Sequence, residues 1–205
     1  MKRFIIAITR TCGSGASTIA KLLSEHYDGI DIYDRKLLRL ASEDSGINES
    51  LFANADEDMK NTLLYKVSRE VYHGELIPPE SDNFISDRNL YNYQAKVLKE
   101  LAKKESYIVI GRGADYILRS NPDMISVYLT ADHETCVKHM MEMRCTDEAA
   151  AERYVRKMNR FRSSYYTYHT GRKWQIPENY DFCLRTDRIG YEKCAEVIED
   201  YIALK

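Results

Sequence analysis

Short apolar stretches alternate with longer amphipathic stretches along the chain. Five of the short stretches have the length and the β-branched content of buried strands, which predicts strands at residues 4–8, 30–33, 107–110, 125–129 and 182–186. The longer stretches repeat apolar residues at helical spacing. Strands that alternate with helices pair in parallel through helical crossovers, and these crossovers cover both faces of the sheet. The pattern therefore predicts a three-layer α/β fold with a five-stranded parallel sheet.

Polar residues that can cap a helix stand before three of the amphipathic stretches. A side-chain oxygen at this position accepts a hydrogen bond from a free N–H group of the first turn. The predicted caps are Asp34, Asp132 and Thr146, and the helix after Thr146 is expected to run from about residue 147 past Phe161. Further helices are expected at residues 16–27, at 93–104 and at the C-terminus.

Length and composition indicate a single domain. The chain has 205 residues, of which 44% are hydrophobic, and this is enough for one sizeable core. Residues 46–90 have a weaker helical pattern, so we expect a mostly helical insertion there. No apolar run approaches the roughly 18 residues of a membrane span, and the N-terminus lacks a signal-peptide pattern. These features predict a cytoplasmic protein without a membrane partner.

Charges, cysteines and histidines argue against several classes of protein. The 30 basic residues nearly balance 32 acidic ones, and a formal charge of -2 does not favour a general nucleic-acid binder. The five cysteines include no C-x-x-C pair, which favours reduced thiols over a disulfide framework or a structural zinc site. The five histidines show no metal-ligand spacing.

A glycine-rich loop joins the first predicted strand to the helix that follows. Its residues are Arg10, Thr11, Cys12, Gly13, Ser14, Gly15, Ala16, Ser17 and Thr18. Backbone N–H groups of such a loop, together with the positive end of the helix dipole, cradle phosphate oxygens. Against the pattern G-x-x-x-x-G-K-[ST], Arg10 replaces the first glycine and Ala16 replaces the lysine. We expect residues 12–18 to bind a nucleotide and Ser17 to ligate Mg²⁺, with a plain tight turn as the alternative.

A basic cluster follows in the C-terminal third. Residues 153–173 hold seven basic residues and no acidic one, and four of them are spaced for one helix face: Arg153, Arg156, Lys157 and Arg160. A lid over the loop, at about residues 147–175, would use such charges to neutralise a transferring phosphoryl group. One of these cations could also replace the missing lysine. The predicted catalytic residues are Arg10, Arg156, Arg160 and Arg162.

Two other interpretations of the basic cluster stay open. It can be a solvated face, or it can be an RNA-contact patch interleaved with the tyrosines of residues 165–168. We favour a packing role for these tyrosines, and for Trp174 and Tyr180, in the segment that returns from the lid.

Charged residues also follow the second and third predicted strands, where ligands bind to open α/β sheets. Asp34 and Arg35 follow the second strand, and Arg112 and Asp115 follow the third. A guanidinium such as that of Arg112 can hold a phosphate through two N–H groups. We expect these four residues to bind the acceptor. Helix capping by Asp34, and an ordinary first-turn position for Asp115, are the alternatives.

The chain as a whole resembles the cytidylate kinase-like family, in particular a divergent bacterial branch. The resemblance rests on I-T-R-x-x-G-S-G at 8–15, Y-D-R at 33–35, I-G-R-G-A-D-Y-I-L at 110–118, the tyrosine-rich stretch at 162–174 and N-Y-D-F-C-L at 179–184. It implies a P-loop NTPase fold with a mobile lid, and transfer of a phosphoryl group from ATP, with Mg²⁺, to a nucleoside monophosphate. True cytidylate kinases have G-S-G-K-G-T at 13–18 and D-G-R-D at 110–113, so a lysine and two acidic positions differ here.

The leading hypothesis is therefore a kinase that acts on small-molecule nucleotides or on a related phosphorylated or hydroxylated acceptor. A nucleotide sensor without catalytic activity is the first alternative, since the loop lysine and the two acids are missing. An RNA-binding protein that uses the basic cluster is the second.

Overall fold

Five parallel strands form the centre of the described part of the chain. The structure, a computed structural model, describes residues 3–34, 36–45, 47–51, 76 and 86–205. Its strands are β1 (Ile5–Arg10), β2 (Ile32–Tyr33), β3 (Tyr107–Ile110), β4 (Met124–Thr130) and β5 (Phe182–Arg185). They pair in the order β2-β3-β1-β4-β5. The predicted five-stranded parallel sheet is confirmed.

Helices connect successive strands and follow the last one. They are α1 (Ala16–His26), α2 (Lys36–Ser45), α3 (Asp87–Leu101), α4 (Ala114–Ile117), α5 (His133–Arg144), α6 (Glu148–Thr170), α7 (Thr186–Ile189) and α8 (Tyr191–Leu204). A turn of 3-10 helix at Pro177–Asn179 precedes β5.

The apolar residues of the strands alternate between two cores, one on each face of the sheet. Ile5 and Ala7 of β1 belong to a core shared with α2, α3 and α4, whereas Ile6 and Ile8 belong to a core shared with α1 and α8. A strand that is buried on both faces reads as a continuous apolar run, because neither set of alternate residues meets water. The helices therefore cover both faces, as the sequence predicted.

The register of the sheet brings several strand ends to one edge. Ile8 of β1 lies opposite Ile110 of β3, and Tyr33 of β2 lies opposite Val109. Because all the pairs are parallel, the residues just beyond these positions lie at the same edge, although they are far apart in sequence. This edge carries the site described below.

The helix boundaries differ from the predicted ones in two places. Asp147, not Thr146, caps α6, and its side chain accepts a hydrogen bond from the N–H of Ala150 at 2.8 Å. The helix before β3 begins at Asp87 rather than at residue 93, because Ser86 caps it and its first turns are buried. Asp132 caps α5 as predicted and accepts a hydrogen bond from the N–H of Thr135 at 2.8 Å.

Some predictions cannot be compared with the described residues. Most of the expected insertion at 46–90, and Arg35, lie outside them. Capping of α2 by Asp34 stays a prediction, because residue 35, between Asp34 and the start of α2, is not among the described residues. In the part that is described, no helix is both long and apolar enough to cross a membrane.

Gly13 and Gly29 both have positive φ, but a side chain would overlap the rest of the protein only at Gly13. Gly13 has φ 85°, and a Cβ atom there would lie 2.5 Å from the carbonyl oxygen of Cys136. Gly29 has φ 81°, and a Cβ atom there would meet nothing within 4 Å. Alanine at either position carries the cost of a left-handed backbone, about 1–2 kcal/mol, but only alanine at Gly13 must also displace a helix backbone.

We therefore expect Gly13→Ala to lower the free energy of unfolding by about 1–3 kcal/mol more than Gly29→Ala does. Urea denaturation of the two variants measures this difference. Equal losses would show that α5 does not hold the loop in the way that the structure indicates.

Candidate functional site

The glycine-rich loop is a tight turn between β1 and α1. The N–H of Thr11 still donates to the carbonyl oxygen of Leu129 in β4, at 3.0 Å, so pairing with β4 extends into the first residues of the loop. The Ser14 hydroxyl donates back to the carbonyl oxygen of Thr11, at 2.9 Å. This hydrogen bond closes the turn, and it places the loop start beside the first turn of α1.

Helices α5 and α8 support the loop from outside. His139 of α5 has Nδ1 at 2.9 Å from the carbonyl oxygen of Gly13, and the Tyr191 hydroxyl lies 3.3 Å from the same nitrogen. A Cβ atom on Gly15 would overlap the ring of Tyr191. The two loop glycines are therefore required by packing as well as by their positive φ. Sequence inspection did not identify His139 and Tyr191, because only the fold brings them to the loop.

The start of α1 has a buried and an exposed side. Ala16, which stands at the lysine position, is 5% exposed, whereas Ser17 and Thr18 are exposed. The hydroxyls of Ser17 and Thr18 are thus open to a ligand. Among the residues described, no group of three His, Cys, Asp or Glu side chains could hold a metal ion.

One face of α6 contacts the loop directly. The side-chain oxygen of Asn159 accepts a hydrogen bond from the N–H of Cys12, at 2.7 Å. Three residues later, Nη1 of Arg162 donates to the carbonyl oxygen of Arg10, at 3.3 Å. The sequence-based site did not include Asn159, although its spacing from Arg162 placed both on one helix face.

The opposite face of α6 carries the exposed part of the basic cluster. Its residues are Arg153, Arg156, Lys157 and Arg160, all of which are exposed. Arg156 pairs within the helix with Glu152, at 2.7 Å. The structure therefore brings Arg162 to the loop but leaves Arg156 and Arg160 on the outer surface.

Most rings of the tyrosine-rich stretch, which overlaps the end of the basic cluster, are packed inside the protein. Tyr166, Trp174 and Tyr180 form a buried cluster with Tyr128 of β4, and Tyr165 is also buried. Buried rings cannot stack on the bases of an RNA strand. This finding agrees with the packing role predicted for four of these residues, whereas Tyr168 is only half-buried.

A cavity of about 390 Å³ lies at the carboxyl ends of β1, β2 and β3, under α6. Its charged lining residues are Arg10, Asp34, Glu49, Arg112 and Arg162. Its other lining residues are Thr9, Leu38, Gly111, Gly113, Tyr154, Met158, Phe161, Tyr165, Tyr166 and Trp174. The structure thus brings together three of the predicted cations and one predicted acid, and it gives them an aromatic wall.

Positive charge predominates in this cavity. Burial, together with the neighbouring Arg162 and Arg112, lowers the pKa of Arg10 to about 9, and Asp34 opposes the shift. Burial also lowers the pKa of Arg162. Nη2 of Arg112 lies 3.6 Å from Oδ1 of Asp34. A buried anion placed among these guanidinium groups would be stabilised by hydrogen bonds and by charge.

Arg112 reaches the cavity from an unusual backbone conformation. It has φ 62° and stands between Gly111 and Gly113, which also have positive φ. A left-handed conformation is unfavourable for arginine, and such strain is most often retained at binding and catalytic sites. The conformation turns the chain sharply after β3, so the Arg112 side chain enters the cavity.

Asp115 lies behind the cavity wall and does not line the cavity. It is 4% exposed, and it accepts hydrogen bonds from the Tyr166 hydroxyl at 2.6 Å and from the Thr9 hydroxyl at 3.4 Å. Burial raises its pKa to about 6, although these hydrogen bonds oppose the shift. In this structure, Asp115 holds two residues of the lining rather than reaching the cavity itself.

Comparison with known proteins gives a family and a fold. A sequence model of the cytidylate kinase-like family matches residues 5–188. A search of curated protein sequences finds no match. The crystal structure of an uncharacterized protein from Eubacterium ventriosum is 28% identical, with a TM-score of 0.72, and the match covers 99% of this chain and 100% of that chain.

Two kinases of known structure are more distant. Shikimate kinase from Bacteroides thetaiotaomicron is 12% identical, with a TM-score of 0.54 and 98% of both chains covered. APS kinase from Mycobacterium tuberculosis is 16% identical, with a TM-score of 0.52, and the match covers 100% of this chain and 99% of that chain. At these identities the likeness shows the P-loop kinase fold alone.

The raised pKa of Asp115 predicts a specific dependence of stability on pH. Its pKa rises from 3.8 to about 6 on folding, which means that the folded state binds the proton more tightly than the unfolded state does. Proton binding therefore stabilises the folded state, and this stabilisation is complete below about pH 4. This stabilisation, on the order of 3 kcal/mol, is lost as the pH rises through about 6. An asparagine in place of Asp115 has no such transition. The free energy of unfolding of Asp115→Asn, relative to the natural protein, should therefore increase between pH 4 and pH 7.

Urea denaturation across this pH range measures the effect of Asp115→Asn. The control is Asp200→Asn, because Asp200 is exposed on α8, and we expect its difference from the natural protein to stay flat. A flat difference for Asp115→Asn as well would contradict the assignment of a buried, proton-binding carboxyl.

Proposed function

Because the chain belongs to the cytidylate kinase-like family, we propose that it is a kinase that transfers the γ-phosphoryl group of ATP to a small phosphate-bearing acceptor. The proposed acceptor is a nucleotide such as CMP, or a related small molecule, in the cytoplasm. One observation carries this proposal: a cavity beside the glycine-rich loop is lined by three arginines and has a size that suits a small ligand. An excess of partly buried positive charge next to a phosphate loop suits two phosphate-bearing substrates.

The glycine-rich loop fits the phosphates of the donor nucleotide. The Cys12 N–H donates to the side-chain oxygen of Asn159, and a phosphate oxygen of the donor would take the place of this acceptor. The start of α1 adds the positive end of a helix dipole. We propose that residues 12–18 hold the donor phosphates, although the loop lacks a lysine.

A magnesium ion fits the exposed side of α1. Mg²⁺ commonly keeps several waters and binds through few protein ligands together with substrate phosphates. The exposed hydroxyl of Ser17 is the proposed protein ligand, with Thr18 as the weaker candidate. The ion would neutralise part of the charge on the phosphates during transfer.

The acceptor would occupy the cavity. Arg10 and Arg112 would bind its phosphate, and Asp34 would orient both Arg112 and a polar group of the acceptor. Asp115 would act through Tyr166, which it positions. We retain Arg35 as a predicted acceptor residue that lies outside the described part of the chain.

The proposed reaction needs no side-chain base. The bond between the γ-phosphorus and the β–γ bridging oxygen breaks, and that oxygen stays on ADP. A new bond forms between the γ-phosphorus and an oxygen of the acceptor phosphate, which is already deprotonated. Positioning and charge neutralisation then supply most of the catalysis.

Residues 147–175 form the proposed lid, with α6 as its main element. Arg156 and Arg160 lie on its outer face, so a catalytic role for them would require α6 to move or rotate. Arg162 needs no such movement, because it already lines the cavity. The insertion at about 46–90 remains the proposed acceptor-side segment of a single domain.

An assay of ADP release with a panel of acceptors tests the proposed activity. The purified protein is incubated with ATP, Mg²⁺ and each common nucleoside monophosphate in turn, and phosphorus NMR identifies the product. Acceptor-dependent ADP release, lost in Arg112→Ala, is the expected result. Tight ATP binding without release for any acceptor would overturn the kinase proposal and favour a nucleotide sensor.

The proposed metal ligand makes a second prediction. Ser17→Ala should weaken ATP binding in the presence of Mg²⁺ by at least about tenfold, because the ion loses its protein ligand. It should have little effect when EDTA removes the metal. Calorimetric titration with ATP under both conditions measures this.

Thr18→Ala is the matched control for Ser17→Ala. Thr18 lies on the same exposed turn of α1, so its replacement removes a hydroxyl at the neighbouring position. We expect ATP binding to change little. A larger loss for Thr18→Ala than for Ser17→Ala would show that Thr18 holds the metal and that the assignment of Ser17 is wrong.

A further inference from the structure

We infer that Arg162, on α6, supplies the positive charge that the phosphate loop lacks at Ala16. This inference rests on the proposed function, because it concerns how the same site binds ATP. The loop lysine of the usual pattern places its charge at the β- and γ-phosphates. A replacement must therefore lie at the loop, and it must also face the place where the acceptor binds.

Arg162 meets both requirements. Its Nη1 donates to the carbonyl oxygen of Arg10, the residue at which the loop begins, at 3.3 Å. The hydrogen bond from Ser14 to Thr11 closes the loop, so the loop start lies beside the N-terminus of α1. Arg162 also lines the cavity, where Asp34 is among the charges that act on it. It therefore lies between the proposed donor and acceptor sites.

Arg10 and Arg112 occupy the acceptor side instead. Nη1 of Arg10 lies against Gly111 at the end of β3, so the Arg10 side chain crosses from β1 toward β3 and leaves the loop. Nη2 of Arg112 faces Asp34, which follows β2. Both guanidinium groups are thus directed toward the neighbouring strands.

The position of Arg162 is fixed by the helix that carries it. Three residues earlier, Asn159 accepts the hydrogen bond from Cys12 at 2.7 Å. Val155 and Tyr166, on the same helix, are buried and anchor α6 on either side of these two residues. The guanidinium is therefore held over the loop by the fold. Its planar set of donors can bind two phosphate oxygens at once, which an ammonium group cannot do in a fixed geometry.

A rescue experiment tests the replacement. Arg162→Ala should lower the affinity for ATP with Mg²⁺ at least about tenfold, because charge-assisted hydrogen bonds to the phosphates are lost. Ala16→Lys restores the usual loop pattern, so the double variant Ala16→Lys with Arg162→Ala should recover most of that affinity. Isothermal titration calorimetry without any acceptor measures all the variants, and thermal melting confirms that each is folded.

Two controls make the rescue specific. Arg153→Ala removes an exposed arginine from the outer face of the same helix and should leave ATP affinity unchanged. Arg10→Ala removes a cavity arginine on the acceptor side. Ala16→Lys should not restore any affinity that Arg10→Ala loses, because that charge lies elsewhere in the site.

The outcomes separate this inference from the proposed function. If the natural protein does not bind ATP, the proposed function itself fails. If it binds ATP and Arg162→Ala binds equally well, the inference about Arg162 is wrong while the kinase proposal stands. A folded double variant that stays as weak as Arg162→Ala would also overturn the inference, because a lysine at residue 16 would then not share the function of Arg162.

Discussion

Parallel pairing of β1, β2 and β3 is the constraint on which the site depends. It places the carboxyl ends of three strands at one edge, where Arg10, Asp34 and Arg112 lie at the strand ends or within two residues of them. A change in the register of any strand would move its charged residue away from the other two. The two apolar cores fix the register, because a shift by one residue would turn each strand's buried side chains to the wrong face.

The concentration of arginine in the cavity works against the stability of the fold. Burial and mutual repulsion both lower the pKa of Arg10, so the folded protein holds a cation in an unfavourable place. The left-handed backbone at Arg112 adds strain next to it. Unfavourable features of this kind persist at sites where a ligand compensates for them. An anionic ligand would relieve the electrostatic part, which links the cost in stability to the proposed binding of phosphate.

Helix α6 places basic residues that are close in sequence on opposite faces. Its inner face packs through Val155 and Tyr166 and brings Asn159 and Arg162 to the loop. Its outer face holds basic residues in water, where Arg156 pairs with Glu152. One helix therefore carries both a component of the site and a solvated surface. The exposure of the outer side matches the solvated-face interpretation of the basic cluster, and the lid stays a proposal.

Much of this protein follows from its sequence alone, because buried strands, capped helices and a glycine-rich turn each have a local chemical pattern. That pattern determined the α/β class, the loop between β1 and α1, and the arginine after β3. The contacts of Asn159, His139 and Tyr191 with the loop could not be predicted, because they join residues 126 or more positions apart. Only the tertiary structure decided which arginine reaches the loop, since helical spacing gives the faces of α6 but not the face that is buried.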